Sequence, residues 1–368
     1  MLEDIFYFDY WYNIVIVLVV VYSIYLVSKS SSKLIYGDSG WVVGLIVSFW
    51  VAITFGIRSE VSFCDTKLYS TMFYLLQSGA WDSLNSVESE WLWDQIEYFF
   101  VDYSTCRMWF VFISFCYVGF IAISTYRWIP NHFSLAMTFA FTAMSFIAYG
   151  TNGIRNGMAT SVALLGLSLI FAENRKPKIG FVILYLSCAI HSSLFAVFAA
   201  VIMSYFFKNV KVNTYIWLFC IVLSVLFSDY FMALATAYVG DMRMSYYTNI
   251  GGSSRIIVGF RWDFIIYGSI PILIGWVVCV KNNIKDYVYE HLLTVYTIVN
   301  AGWVLINPIA FSNRFAYLSW FMYPILIAYP LLKFHFLPNQ NRITAFTLIF
   351  YLVFMFYVKN SHHIHPGL

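Results

Sequence analysis

Few residues of this 368-residue chain could do chemistry, and the strongest candidates sit at the edges of apolar runs. Arg155 opens one such run, and His191 interrupts another. Ionisable groups at membrane depth are costly, so they usually face a cavity or a pathway. A histidine, with an unperturbed pKa of about 6.5, can take a proton at neutral pH. A guanidinium holds phosphate oxygens through two parallel N–H bonds, where an ammonium offers only a point charge. His191 therefore reads as a general base, against the plainer reading of a packed, hydrogen-bonded ring. Arg155, Arg261 and Arg314, each at the edge of a span, read as pyrophosphate-binding. Arg58, Arg107 and Arg243 read more simply as partners of headgroups or loop acids, though Arg58 could lend support. Asp65, Asp263 and Arg255 are the remaining candidates for acceptor contact or support.

The elements that must position these groups are membrane helices. The chain is 61% hydrophobic and 11% charged, against roughly 25% charged in soluble domains. Apolar runs of helix length recur throughout, which argues against short alternating strands of a barrel. Spans are expected at 11–27, 41–57, 108–126, 132–150, 154–172, 179–207, 212–228, 262–280, 288–306, 315–332 and 343–358. The fold class is all-α and polytopic, with about 11–12 transmembrane helices in a single integral membrane domain over 1–368. The start, MLEDIFYFDYWYN, is acidic where a signal peptide is basic, so the first helix is expected to stay. The net charge of +3 says little about partners.

Short loops carrying Lys or Arg should be cytoplasmic. That rule places 58–107 and 229–261 outside as two long loops. It holds to the end of the chain only if 179–207 crosses twice, as two short helices with a bend near His191. Each arm would be about 21 Å long, short of a hydrocarbon core of roughly 30 Å. Broken helices are tolerated where they line a cavity. The expected topology is thus a hairpin with His191 at its outward tip, and both termini outside. It leaves nine of 11 lysines inside and seven of 10 arginines outside, which a positive-inside bias alone does not explain. In the first loop, KLYSTMFYLLQSGAW and SEWLWDQIEYFF read as amphipathic helices lying along the membrane surface. In the second, glycines at 251, 252 and 259 suggest a mobile flap. The six cysteines show no CxxC spacing, so no metal or redox site is expected. Cys64 and Cys106 flank the first loop, a pairing that an oxidising compartment would permit.

The run IRNGMATSVALLGL, a basic turn and then AIHSSLF resemble the core of the EpsG/Wzy-type membrane polysaccharide polymerases. IRSEVSFCDTKLY, with Arg58, Asp65 and Tyr69, is similar to another stretch of that family. So are GFRWDFIIYGSIP at 259–271 and NRFAYLSWFMYP at 313–324. The resemblance implies an O-antigen or exopolysaccharide polymerase with a GT-C-like glycosyltransferase architecture. It would act at the outer face of the bacterial inner membrane on an undecaprenyl-pyrophosphate-linked oligosaccharide. It implies a histidine at position 191 and, as partners, the lipid bilayer and a chain-length regulator protein, with no nucleic acid. No acidic pair of nucleotide-sugar type and no phosphate loop is present, so neither metal nor cofactor is expected. Two other readings stand beside it. A transporter or flippase for lipid-linked sugars would call for internal repeats, and none is visible. An O-antigen ligase-like enzyme would share the chemistry but use a different acceptor.

Overall fold

The structure, a computed structural model, describes residues 2–29, 40–80, 90–239, 260–309 and 312–364. Arg243, Arg255 and the glycines of the second loop lie outside the described residues. Every regular element among the described residues is helical, as expected of an all-α polytopic membrane protein. The chain packs as two compact units, Met1–Phe198 with Ala328–Leu352, and Ala199–Ile327 with Val353–Leu368.

The first unit contains α1 (Leu2–Ser28), α2 (Trp41–Gly56), α3 (Cys64–Gln77), α4 (Trp91–Tyr103) and α5 (Cys106–Trp128). There follow α6 (Phe133–Phe141), α7 (Met144–Thr151), α8 (Ile154–Phe171) and α9 (Pro177–Ile190). Helices α5 and α8 form its centre, with α2 packed on α5 and α9 packed on α8. The α8–α9 contact is close because it meets at two glycines. A Cβ on Gly180 would stand 2.9 Å from the Gly166 carbonyl oxygen and 2.6 Å from Ile170 Cγ1. Small residues allow such backbone approach where lipid offers no hydrophobic drive between helices.

Six helices among the described residues are long and apolar enough to cross a membrane: Asp9–Ser28, Cys106–Trp128, Ile154–Phe171, Val210–Phe231, Trp262–Lys281 and Ser312–Lys333. The other runs read as spans are shorter, bent or more polar. The run expected at 132–150 is broken, α6 and α7 meeting at 75°. At the break Thr142 bonds back to the Thr138 and Phe139 carbonyls, and Ala143 is extended. Trp41–Gly56, Pro177–Ile190, Ser192–Ser204 and Gln340–Phe356 are apolar but shorter. The run at 288–306 forms a helix carrying Glu290, His291 and Asn300.

Residues 179–207 form two helices, as α9 stops at Ile190 and α10 (Phe195–Ser204) begins after a 3₁₀ turn at Ser192–Leu194. His191 between them is extended. The rings of Phe181 and Phe198 lie 6.0 Å apart, and those of Tyr185 and Phe195 lie 6.4 Å apart. A straight helix would separate residues 181 and 198 by about 25 Å. The chain therefore doubles back at His191.

The second unit is built on α11 (Val210–Val239) against α13 (Tyr287–Leu305). Beside them lie α12 (Trp262–Gly275), α14 (Ser312–Trp320) and α15 (Tyr323–Lys333), the last crossing into the first unit's range; α16 (Gln340–Ile364) likewise contributes to both. Its core holds a buried amide: Trp217 Nε1 donates to Asn300 Oδ1 at 2.8 Å, and Asn300 Nδ2 donates to Ser319 Oγ at 3.0 Å. Tyr267 stacks between Tyr323 and Phe354, with centroids 4.3 and 5.1 Å away.

Candidate functional site

One end of the first unit gathers α3, α4, the α7–α8 turn and the α9–α10 turn. The α7–α8 turn is Thr151–Gly153, two residues before Arg155. Asp65, in the first turn of α3, accepts from Asn152 Nδ2 at 3.2 Å, while its own backbone N–H donates to Asn152 Oδ1 at 2.8 Å. Thr66 Oγ1 bonds the Thr151 carbonyl, and Arg58 Nε donates to Thr66 Oγ1 at 3.3 Å. Gly157 lets α8 approach α7, since a Cβ there would stand 2.4 Å from the Tyr149 carbonyl oxygen. Asp65 and Arg58 thus brace the start of α8, and Arg155 rides on it. Arg58 is buried, with its guanidinium 4.7 Å from the Phe110 ring centroid. It acts as a strut within the unit.

Arg155 and His191 meet through a residue the sequence reading passed over. Glu90 precedes α4, and its carboxylate leaves that helix uncapped to reach across to the α9–α10 turn. Its Oε2 stands 2.9 Å from Arg155 Nη1, and its Oε1 stands 3.0 Å from His191 Nδ1. The same Oε1 accepts from Ser192 N–H at 2.7 Å and from Ser192 Oγ at 3.1 Å. The side chain of Glu90 is 5% exposed, those of Arg155 and His191 23% and 17%. The acid's charge is therefore buried, and the two groups it joins both reach the surface.

Burial pushes the Glu90 carboxyl up. The His191 hydrogen bond and charge, the Arg155 charge and the Ser192 N–H outweigh burial and hold it at about 2. His191 Nδ1 also lies 3.5 Å from Ser193 N and 3.3 Å from Ser193 Oγ. The nearer, charged partner decides the tautomer: Nδ1–H points at Glu90, and the neutral ring carries its lone pair on Nε2.

Glu90 heads a stripe. Glu90, Asp94 and Glu97 share one face at helical spacing and are 6%, 6% and 3% exposed. Trp91, Phe99 and Tyr103 on α4 are exposed. The amphipathic helix expected here thus turns Glu90, Asp94 and Glu97 inward and Trp91, Phe99 and Tyr103 outward, while Trp93 is buried and Asp102 exposed. For Glu90 the reason is electrostatic, because its carboxylate pairs with Arg155 at the start of a membrane helix. Tyr69, Asp94 and Glu97 all lie within electrostatic reach of Arg155. Burial and the neighbouring Asp94 charge push Glu97 up to about 8, with Arg155 opposing in part. Among the described residues, Glu97 Oε1 has no hydrogen-bond partner. The signal was present in the sequence as the spacing of Glu90, Asp94 and Glu97, opposite Trp91 and Phe99.

Arg261, Asp263 and Arg314 belong to the second unit. Arg261 grips Asp263 bidentately, Nε to Oδ1 at 3.0 Å and Nη2 to Oδ2 at 2.6 Å. Its guanidinium lies 3.7 Å from the Phe264 centroid, and its backbone N–H donates to buried Asn307 at 2.6 Å. The fork expected to hold phosphate is closed on an acid two residues away. Arg314 is exposed on α14. Cys64 and Cys106 are free thiols. Among the described residues, no three His, Cys, Asp or Glu side chains could hold a metal ion.

A family model, the EpsG family, matches residues 41–365. The chain belongs to the EpsG family. That is the family its motifs resemble, and it points to a polysaccharide polymerase-type membrane protein. The match takes in every residue of the Glu90–Arg155–His191 cluster. No curated protein and no solved structure matches the chain.

Proposed function

We propose that this protein is a metal-independent glycosyltransferase that polymerises lipid-linked glycan repeat units. It would sit in the bacterial inner membrane and work at the periplasmic face. The donor is a glycan on undecaprenyl pyrophosphate, and the acceptor is a lipid-linked repeat unit. The observation that carries the reading is the junction of Arg155 and His191 on buried Glu90, within a chain of the EpsG family.

The chemistry follows from these groups. Arg155 takes a phosphate oxygen of the donor, and His191 Nε2 faces the acceptor hydroxyl. The hydroxyl oxygen attacks the donor's anomeric carbon, and its proton passes to Nε2. The anomeric carbon–oxygen bond breaks, and its electron pair goes to the pyrophosphate, whose charge Arg155 offsets. One glycosidic bond forms for the glycosyl–phosphate bond broken, the lipid pyrophosphate leaves intact, and the energy comes from that glycosyl–phosphate bond. Arg58, Asp65 and Asn152 hold the α8 start that presents Arg155.

A gel of surface polysaccharide from a deletion strain tests this. A polymerase requires loss of the long ladder with one repeat unit retained, restored by the parent gene. Loss of every capped form would point to a ligase or a flippase instead.

A further inference from the structure

We propose that Glu90 couples the two halves of this site: a phosphate seated on Arg155 releases Glu90 to His191 and so strengthens Nε2 as a base. The inference rests on the reading above, in which Arg155 takes the donor's phosphate. Its own ground is the shared carboxylate, with one oxygen 2.9 Å from Arg155 and the other 3.0 Å from His191 Nδ1.

One buried carboxylate, that of Glu90, bridges a fixed cation and a titratable ring. With Arg155 unliganded, the guanidinium claims much of that charge. A phosphate brings its own negative charge to Arg155 and competes with Oε2 for it. Glu90 is then left to His191, and an opposite charge in hydrogen-bond contact favours the imidazolium. The consequence is order: His191 takes up the acceptor's proton best once the donor is in place, so an acceptor hydroxyl is not activated in an empty site.

The surroundings bear on where the change is felt. Facing the carboxylate are Arg155 from α8 and His191 and Ser192 from the α9–α10 turn, and Ser193 Oγ lies 3.3 Å from His191 Nδ1. Asp94 and Glu97 follow on Glu90's own helix, and Tyr69 from α3 lies in reach of Arg155. Glu90, held at about 2, stays ionised throughout, so the response falls on the histidine. Glu97, at about 8, adds no charge below neutral pH.

The test uses the full chain, purified in detergent. Carbethoxylation of His191 by diethyl pyrocarbonate is followed by mass spectrometry from pH 5 to 7.5. It is run with and without farnesyl pyrophosphate, and again with inorganic pyrophosphate. Shielding by the probe lowers the plateau, whereas the midpoint reads proton affinity. In the parent the midpoint should rise by about one pH unit with farnesyl pyrophosphate bound. In Glu90→Gln only the direct field of the phosphate remains, and the rise should shrink to less than about half. If Glu90→Gln does not fold, Glu90→Asp replaces it: too short to span both partners, it should show the same shrinkage. An unmoved parent midpoint with probe bound, or equal rises in parent and variant, overturns the coupling. Failure of both probes to bind, or unchanged binding in Arg155→Lys, instead removes the phosphate reading, and the coupling falls with it. A like shift with inorganic pyrophosphate supports the coupling too and assigns it to the headgroup.

Discussion

Glu97→Gln should make the protein more stable at alkaline pH. The Glu97 side chain is buried, with Asp94 on the same helix face and Arg155 opposing. Its carboxyl is pushed from 4.5 to about 8. A raised acid binds its proton more tightly in the folded chain than in the unfolded one. Below about pH 4.5 both states hold the proton and Glu97 adds nothing. Between pH 4.5 and about 8 the folded chain holds more proton, so stability falls as pH rises. At about 1.4 kcal/mol per pH unit, the loss has a ceiling of about 5 kcal/mol. Glutamine is close in shape and cannot ionise, so it removes that slope. Thermal unfolding in detergent, from pH 5 to 9, reads the effect. The parent's Tm should drift down relative to the variant's by on the order of 5 °C. Parallel curves for the two proteins would refute the reasoning, because they would mean that Glu97 is ionised or solvated in the folded state.

Arg155→Lys keeps the charge beside Glu90 but loses the fork, so surface polymer should shorten strongly while membrane insertion stays normal; a gel of surface polysaccharide and a membrane-fraction blot read both. Arg261→Lys should shorten polymer less, because its fork is already closed on Asp263. Asn152→Ala removes both side-chain bonds to Asp65 and should cost about 1 kcal/mol in a thermal melt, with a larger relative loss of activity. Gly180→Val forces apart the α8–α9 contact and should cost about 1–3 kcal/mol by the same melt. Cysteines at exposed Ser78 and Asn174 should behave oppositely towards an impermeant thiol reagent in cells with a permeable outer membrane. Ser78→Cys should label and Asn174→Cys should not; the reverse would put the site on the cytoplasmic side.

What the sequence disclosed follows from physics that is local or strongly punished. Arg155 and His191 are legible because an ionisable group in an apolar run is costly, and such a group needs a reason. The reversal at His191 is legible because the charge rule fails without it. Glu90 was hidden for the converse reason. An acid in a hydrophilic loop costs nothing on paper, and that loop holds seven others. Only the tertiary contact with Arg155 and the Ser192 amide picks it out. The pairing of Asp65 with Asn152 spans 87 residues and leaves no periodic trace. The 75° break between α6 and α7 carries neither Pro nor Gly at 142–143, so nothing local announces it. The Arg261–Asp263 pair was adjacent in sequence, but whether the fork turns to its neighbour or to a ligand depends on side-chain geometry.

The central claim is that His191, oriented by Glu90, is the base of a glycan polymerase. It is tested most directly by in vitro polymerisation of a lipid-linked repeat unit by purified protein, normalised to folded protein, from pH 5 to 9. The parent should build a ladder, and His191→Gln should slow it by about 10²–10⁴-fold while still binding the single-repeat glycolipid. Near-parent turnover by His191→Gln would contradict the account.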